Sequence, residues 1–308
     1  MHVLVTGGAG FIGANLCEAL ERVGHRVTAF DDLSTGFASN LDGTATELIV
    51  GSILDPDAIN AAAADADAIV HLAARPSVPR SVADPVPSHE VNATGTVNVL
   101  EAARRDGLRH VITSGSSSVY GANPTLPKHP DLATRPVSPY AASKLAAESY
   151  TLAYGHSYGL PTLSFRFFNV FGPLQAAGHA YAAVIPSFVD AALSGRPLPV
   201  HGDGTQSRDF TFVDTLTAIL IDALERKVTC TEPINLAFGT RTDLLGVIEE
   251  MRWLLDEPID IEFQPARVGD VPHSQADDSQ VRALFPTIEP TPFETGLKAT
   301  IDWMRGIR

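Results

Sequence analysis

Cysteine is nearly absent from this 308-residue sequence, which carries only Cys17 and Cys230. Their separation matches no metal-ligand spacing, so no metal is expected, and both thiols are expected to be free and buried in a reducing compartment. Basic charge is also scarce: 22 Lys and Arg stand against 36 Asp and Glu, a formal net charge of −14. Such a chain repels nucleic acid and anionic membrane surfaces, so neither is expected as a partner. An anionic small molecule stays open, provided that arginines are placed locally. Long hydrophobic runs are missing too: no stretch is long enough to span a bilayer, and the chain opens straight into the strand-like HVLVT, so no signal peptide is expected. A cytoplasmic protein is the expectation. There is no internal repeat, low-complexity tract or flexible linker.

The 44% hydrophobic content is that of an ordinary globular protein, and 308 residues are long for one core, which suggests two lobes. Strand-like runs at 2–6, 26–30, 47–50, 68–71, 110–113 and 162–168 alternate with helical patterns at 11–23, 57–64, 86–106 and 139–158. Alternation of this kind predicts an α/β fold with a doubly wound parallel sheet, because each right-handed crossover needs a helix to return the chain. After about residue 168 the rhythm breaks. Helical patterns at 185–193, 215–225 and 244–255 are separated by irregular Gly- and Pro-containing segments. Residues 1–168 are therefore expected to form a Rossmann domain. Residues 169–308 are expected to form mainly a smaller C-terminal substrate-binding lobe over the carboxyl ends of the strands, with the chain crossing back to the sheet.

The segment TGGAGFIG, residues 6–13, follows the first strand and opens the first helix. Gly7 is suited to a tight turn, Gly10 to close approach of a pyrophosphate and Gly13 to packing of helix on strand. The helix N-terminus adds N–H groups and partial positive charge. The spacing is GxxGxxG rather than the more familiar GxGxxG, and such a turn alone is often only structural. An acid at the end of the second strand completes the pattern of a dinucleotide site. That acid, Asp31, can accept both adenosine ribose hydroxyls and would repel a 2′-phosphate, which predicts NAD over NADP. Asp32 opens the DDLSTG loop and is either a solvated turn residue or part of a wrap around the adenine.

The segment YAASK, residues 140–144, sets a phenol and an ammonium four residues apart on one helix face. Tyrosine has a pKa near ~10 in water; a nearby ammonium favours the phenolate, as does the positive nicotinamide of the oxidised cofactor. Tyr140 would take the proton from a substrate hydroxyl as hydride leaves the same carbon, while Lys144 holds the nicotinamide ribose and tunes Tyr140. Upstream, SGSSSVYG ends the fifth strand, and Ser116 and Ser118 are candidates to bind the reacting oxygen. A lone YxxxK would be an exposed helical turn. The serine-rich strand end and the glycine turn favour the catalytic reading.

With HLAA at 71–74, SPYAASK and RFFNVFGP at 166–173 in the same order, the chain resembles the extended short-chain dehydrogenase/reductase family. Within it, the chain is most similar to NAD-dependent nucleotide-sugar epimerases and dehydratases, UDP-glucose 4-epimerases above all. The resemblance covers essentially the whole chain. It implies that Phe11 and Ile12 contact the pyrophosphate through their backbone. Leu72, Ala73, Ala74 and Arg75 would line the cofactor, Asn92 would help to position it, and Phe168 would flank the nicotinamide. Ser52 and Ile53 stand beside the adenine, where many relatives have Asp followed by an apolar residue. Arg75 stands where several hexose epimerases carry lysine.

For the sugar nucleotide, the resemblance implies that Asn169, at the end of the sixth strand, contacts diphosphate and sugar. Ala183 and Val184 would clamp the nucleotide, and His201 would stack on uracil. Arg208 and Arg267 would bind the diphosphate by charge-assisted bonds, and Asp270 would hold a hydroxyl. Ser274 matches a gatekeeper position where a small residue leaves room for an N-acetyl group.

The expected activity is 4-epimerisation of UDP-glucose and UDP-galactose, with the N-acetylhexosamine pair tolerated, through a 4-keto intermediate and bound NAD. The resemblance disfavours dehydration, because SSSVYG lacks the acid pair that dehydratases of the family carry there, and argues against a uronate, because Ala176 stands where uronate-specific relatives carry an arginine. A UDP-glucuronate 4-epimerase or decarboxylase and a non-catalytic binding protein are the alternatives. The resemblance also implies a homodimer with a four-helix seam formed by helices 86–106 and 139–158; their apolar residues Val91, Val97, Val99, Leu100, Leu145, Tyr150 and Leu152 would either form that seam or be buried inside the monomer.

Overall fold

The computed structural model describes residues 1–105, 107, 109–177, 182–265 and 272–307. Along the chain the strands are β1 (His2–Thr6), β2 (Arg26–Asp31), β3 (Glu47–Val50), β4 (Ala68–His71), β5 (His110–Ser116), β6 (Thr162–Phe167) and β7 (Asn169–Phe171). They continue with β8 (Leu198–His201), β9 (Ser207–Arg208), β10 (Phe210–Phe212), β11 (Ile234–Leu236), β12 (Thr242–Asp243) and β13 (Ile261–Gln264). The helices are α1 (Phe11–Arg22), α2 (Pro56–Ala63), α3 (Val78–Ala83), α4 (Pro85–His89), α5 (Gly95–Arg105) and α6 (Pro139–Tyr158). Then come α7 (Val184–Leu193), α8 (Val213–Glu225), α9 (Leu244–Leu255), α10 (Ser279–Leu284) and α11 (Phe293–Gly306).

Among the described residues, seven strands form one parallel sheet in the order β11-β6-β5-β4-β1-β2-β3. The order reverses beside β1, and the crevice outside the strands' carboxyl ends at such a point is where open α/β sheets bind ligands. Both faces of the sheet are buried, so its central strands read as nearly continuous apolar runs. Val3, Val5, Val70, Ile112 and Leu163 pack on one side with Leu16 and Leu20 of α1 and Leu216, Ile219 and Leu220 of α8. Leu4, Ile69 and Val111 face the other way, onto Ile59 of α2 and Val99 and Leu100 of α5. A separate apolar cluster joins α7, α9 and α11 to β8 and β10. Although α8 and β11 come late in the chain, they return to the large sheet, β11 pairing with β6.

Several expectations from the sequence are corrected here. The strand at 110–113 runs on to Ser116, and the strand at 162–168 ends at Phe167. Asn169 does not end β6; it opens β7, where it pairs with Phe210. The helix at 86–106 is α4 followed by a π-helical turn at Glu90–Thr94 and then α5, and residue 106 lies outside the described set. Val99 and Leu100 are fully buried within this chain and are not free for a seam between copies, whereas Tyr150 is 47% exposed. Cys17 is buried, but Cys230 is only half-buried.

Candidate active site

A cleft of about 720 Å³ opens along the carboxyl ends of β1, β2, β4, β5 and β6. Its first wall is the turn from β1 into α1. Gly7 has φ +71, where only glycine is free of strain, and a Cβ there would come within 2.7 Å of Ala73 N. A Cβ on Gly13 would lie 2.1 Å from Gly7 O, so the helix can begin against its own turn only without a side chain. Gly7, Gly10, Phe11, Ile12 and Gly13 all line the cleft. Asp31 ends β2 with its carboxylate held from both sides: Oδ2 accepts from Ala9 N at 3.0 Å and Oδ1 from Leu33 N at 2.8 Å. Burial raises its pKa from the ordinary carboxylate value, an effect those two donors oppose.

Asp32 lines the cleft while its Oδ1 caps Ser34 N at 2.9 Å, so it is a turn residue at the rim. Ser52 and Ile53 border the same end. Sequence reasoning did not single out Ser34, Thr35, Phe37 and Asn40, which also line it. Their segment folds back onto the glycine turn through Phe37 N and Asn40 Nδ2, both donating to Ala9 O. Only the DDLSTG loop signal hinted at them.

Leu72, Ala73, Ala74 and Arg75 form the next stretch of wall. Asn92 lies behind them: its Oδ1 accepts from Arg75 N at 2.7 Å, and its Nδ2 donates to Ser143 Oγ at 2.9 Å. The π-helical turn presents this amide, as such turns often do at functional sites. Below it, His71 is buried between Thr6 Oγ1 at 2.7 Å and Thr96 Oγ1 at 3.0 Å. Because Thr96 Oγ1 donates to Asn92 O, it receives the His71 Nε2 proton, leaving Nδ1 as acceptor. Burial and the Lys144 charge bring this histidine down to about 3, so it is neutral.

The helix carrying Tyr140 and Lys144 begins where its sequence dictates. Ser138 Oγ accepts from Ala141 N at 3.1 Å and Pro139 takes the first helical position, while Gly159 at φ +66 ends it. Tyr140 N is pinned to Ser81 Oγ of α3 at 3.0 Å. Tyr140 and Lys144 face the cleft together with Ser116, the last residue of β5. Ser118 turns back to donate its hydroxyl to Ser116 Oγ at 2.8 Å and does not itself line the cleft. The expected depression of the Tyr140 pKa is reversed in direction. Burial raises it and the Ser116 side chain opposes the rise, because desolvating a phenolate costs more here than its neighbours return. Burial also brings Lys144 down to about 8.

Phe168 and Ala183 line the cleft, with Ala183 directly before α7 and Val184 opening that helix. Asn169 is half-buried beside this wall without lining it. His201, Arg208 and Ser274 are not brought to it either. His201 ends β8 with Nδ1 3.2 Å from Pro265 O, and Arg208 Nη1 donates to Ser207 O and Pro272 O. Ser274 N donates to Ser207 O at 3.0 Å, which places Ser274 next to Arg208. Arg241 and His273, which the sequence did not flag, also meet Ser207. Arg267 and Asp270 lie outside the described residues.

The residues fit a dinucleotide. Arg75 Nε and Gln175 Oε1 are buried in residues that line the cleft and have no hydrogen-bond partner among the described residues. Each would cost about 1–3 kcal/mol if left unmet. A polar ligand with donors and acceptors in this cleft would meet both. The open side of Gly10, where a Cβ would approach only Gly7 O, leaves room for phosphate at the N-terminus of α1.

Known proteins agree with this arrangement. The NAD dependent epimerase/dehydratase family matches residues 3–237. A UDP-glucose 4-epimerase of Mycolicibacterium smegmatis is 36% identical over 314 residues, covering 99% of each chain. Among solved structures, a UDP-N-acetylglucosamine 4-epimerase from Methanobrevibacter ruminantium, in complex with UDP-N-acetylmuramic acid, has a TM-score of 0.94 at 36% identity, over 100% of this chain and 99% of its own. A UDP-glucuronic acid 4-epimerase from Bacillus cereus, in complex with UDP-glucuronic acid and NAD, has a TM-score of 0.91 at 30% identity, over 100% of both chains. The family match runs through every segment that lines the cleft, and this chain belongs to the NAD dependent epimerase/dehydratase family.

Proposed function

We propose that this protein is a UDP-sugar 4-epimerase that interconverts UDP-glucose and UDP-galactose and also accepts their N-acetylhexosamine counterparts. The observation that carries the reading is the convergence of Ser116, Tyr140 and Lys144 on the cleft that holds the glycine turn and Asp31. When bound, NAD supplies the hydride acceptor for the sugar carbon that bears the hydroxyl. Ser116 and Tyr140 hold that hydroxyl, and Tyr140 takes its proton as the carbon becomes a ketone. Lys144 supplies positive charge beside the phenolate and a donor for the nicotinamide ribose. After the 4-keto sugar turns in the pocket, Tyr140 returns the proton to the opposite configuration. Asn169, Ala183, Val184, His201, Arg208, Arg267 and Asp270 grip the nucleotide, leaving the sugar loose enough to turn. Ser274, being small, admits an acetamido group. The protein acts as a homodimer through the faces of α5 and α6 that include Tyr150, which light scattering tests.

Incubation with UDP-galactose, without added NAD, should yield UDP-glucose. Protein that holds no nicotinamide, takes none up and leaves every UDP-hexose unchanged overturns the reading. One observation favours a second substrate. Arg75 and Arg80 both line the cleft, and two guanidiniums there suit a sugar carboxylate although Ala176 supplies no charge. A kcat/KM for UDP-glucuronate above that for UDP-glucose would establish the uronate as the substrate.

A further inference from the structure

The arginine that opens RFFNVFGP has no part in the proposed chemistry, yet it is one of the most enclosed charges in the protein. Arg166, on β6, is 3% exposed and grips Glu148 of α6 with two parallel bonds, Nε to Oε2 at 2.8 Å and Nη2 to Oε1 at 2.7 Å. Its Nη1 donates to Pro130 O at 3.1 Å, and its guanidinium carbon stands 4.8 Å from the centre of the Tyr120 ring. The Tyr120 hydroxyl donates to Asn235 Oδ1 at 2.6 Å, and Asn235 Nδ2 donates to Lys128 O at 2.6 Å. One charge pair thus joins α6, β6, the turn after β5 and the edge strand β11.

Two registers give this pair its meaning. Tyr140, Lys144 and Glu148 are spaced i, i+4, i+8 and share one face of α6, so fixing Glu148 fixes the rotation and height of the other two. On the sheet, Arg166 pairs with Gly115 and Phe167 with Ser116, so the arginine sits one residue from the tip of β5. A Cβ on Gly115 would lie 2.6 Å from Phe165 O and 3.6 Å from Glu148 Oε2, so the strand leaves no room for a side chain where the carboxylate passes.

We propose that Arg166 and Glu148 are positioning residues whose bidentate contact sets α6, and with it Tyr140 and Lys144, against Ser116; this rests on the functional reading above. A buried ion pair adds little net stability, because desolvation cancels most of its attraction and apolar residues of similar volume often serve as well. An apolar pair lacks direction. A planar fork on a carboxylate accepts one relative placement, which is what a phenol and a serine hydroxyl need to share one substrate oxygen.

The test compares the wild type with Glu148→Gln and with the double variant Arg166→Met, Glu148→Leu. Three quantities are read in each: the NAD content of the purified protein, KM and kcat on UDP-galactose, and the pH midpoint of Tyr140. The midpoint is taken from near-ultraviolet tyrosinate absorbance, by difference from the same protein carrying Tyr140→Phe. In both variants NAD content and KM should stay within about twofold while kcat falls about 10- to 100-fold, the scale of a misplacement near 1 Å. The Tyr140 midpoint should move in both. Any other pattern overturns the proposal, including unchanged kcat, an unmoved midpoint, or parallel loss of NAD and activity as from a purely structural brace. If the wild type turns over no UDP-hexose, the functional reading fails separately, and the tyrosinate midpoint still decides whether the pair positions Tyr140.

Discussion

Asp31 Oδ2 accepts the N–H of Ala9 at 3.0 Å, so an acid that lines the cleft is also a strut of the glycine turn. Selectivity and turn geometry are therefore coupled. The wild type should bind NADH at least about tenfold more tightly than NADPH, a difference of about 1.4 kcal/mol from like-charge repulsion at a 2′-phosphate. Asp31→Asn should narrow that ratio while keeping the strut, and Asp31→Ala should weaken both cofactors. Fluorescence titration with the two reduced cofactors checks this.

Tyr140→Phe removes the proposed acid–base group while leaving the ring in place. Turnover of UDP-galactose should fall about 10²–10⁴-fold with NAD content unchanged. Retention of kcat within tenfold would assign the proton transfer elsewhere.

Lys144 titrates at about 8 in the folded protein against 10.5 for an ordinary lysine, because it is buried. Below pH 8 the folded and unfolded chains both carry the proton. Between 8 and 10.5 the unfolded chain keeps it and the folded chain has released it, so stability rises with pH across this window. The full rise is about 3 kcal/mol. In urea unfolding at both ends of the window, the stability of the wild type relative to Lys144→Met should rise by that amount.

Burial and Lys144 hold His71 at about 3, against 6.5 for an ordinary histidine. Only the unfolded chain takes up a proton between those values, so this residue costs stability as pH falls from 6.5 to 3. His71→Asn should be less stable at neutral pH through loss of the Thr6 and Thr96 bonds, yet lose less on acidification. Thermal unfolding of both proteins across that range measures the two slopes.

Ser274→Tyr should lower the activity on UDP-N-acetylgalactosamine relative to UDP-galactose by about 10-fold or more, as a filled acetamido pocket would. An unchanged ratio of the two kcat/KM values rules out a gatekeeping role.

The alternation of apolar runs with helical patterns was enough to read the parallel sheet, because a strand buried on both faces must be apolar along its length. Helix α6 was legible to the residue, since Ser138, Pro139 and Gly159 are local signals that act through adjacent backbone groups. The π-helical turn under Asn92 was not legible, because the 86–106 pattern reads as one helix and the turn is settled by bonds to Arg75 and Ser143 far along the chain. The strand break at Asn169 escaped notice because its partner, Phe210, is 41 residues later.

Taken alone, the sequence determined the dinucleotide turn, the acid of β2 and the spacing of Tyr140 and Lys144, since each is a contiguous stretch whose geometry follows from one turn or one helix. Only the tertiary structure decided that burial raises the Tyr140 phenol and lowers Lys144, and that Arg166 of β6 clasps Glu148 of α6. Desolvation and ion pairing depend on what other segments bring near a group, and distance along the chain carries no record of that.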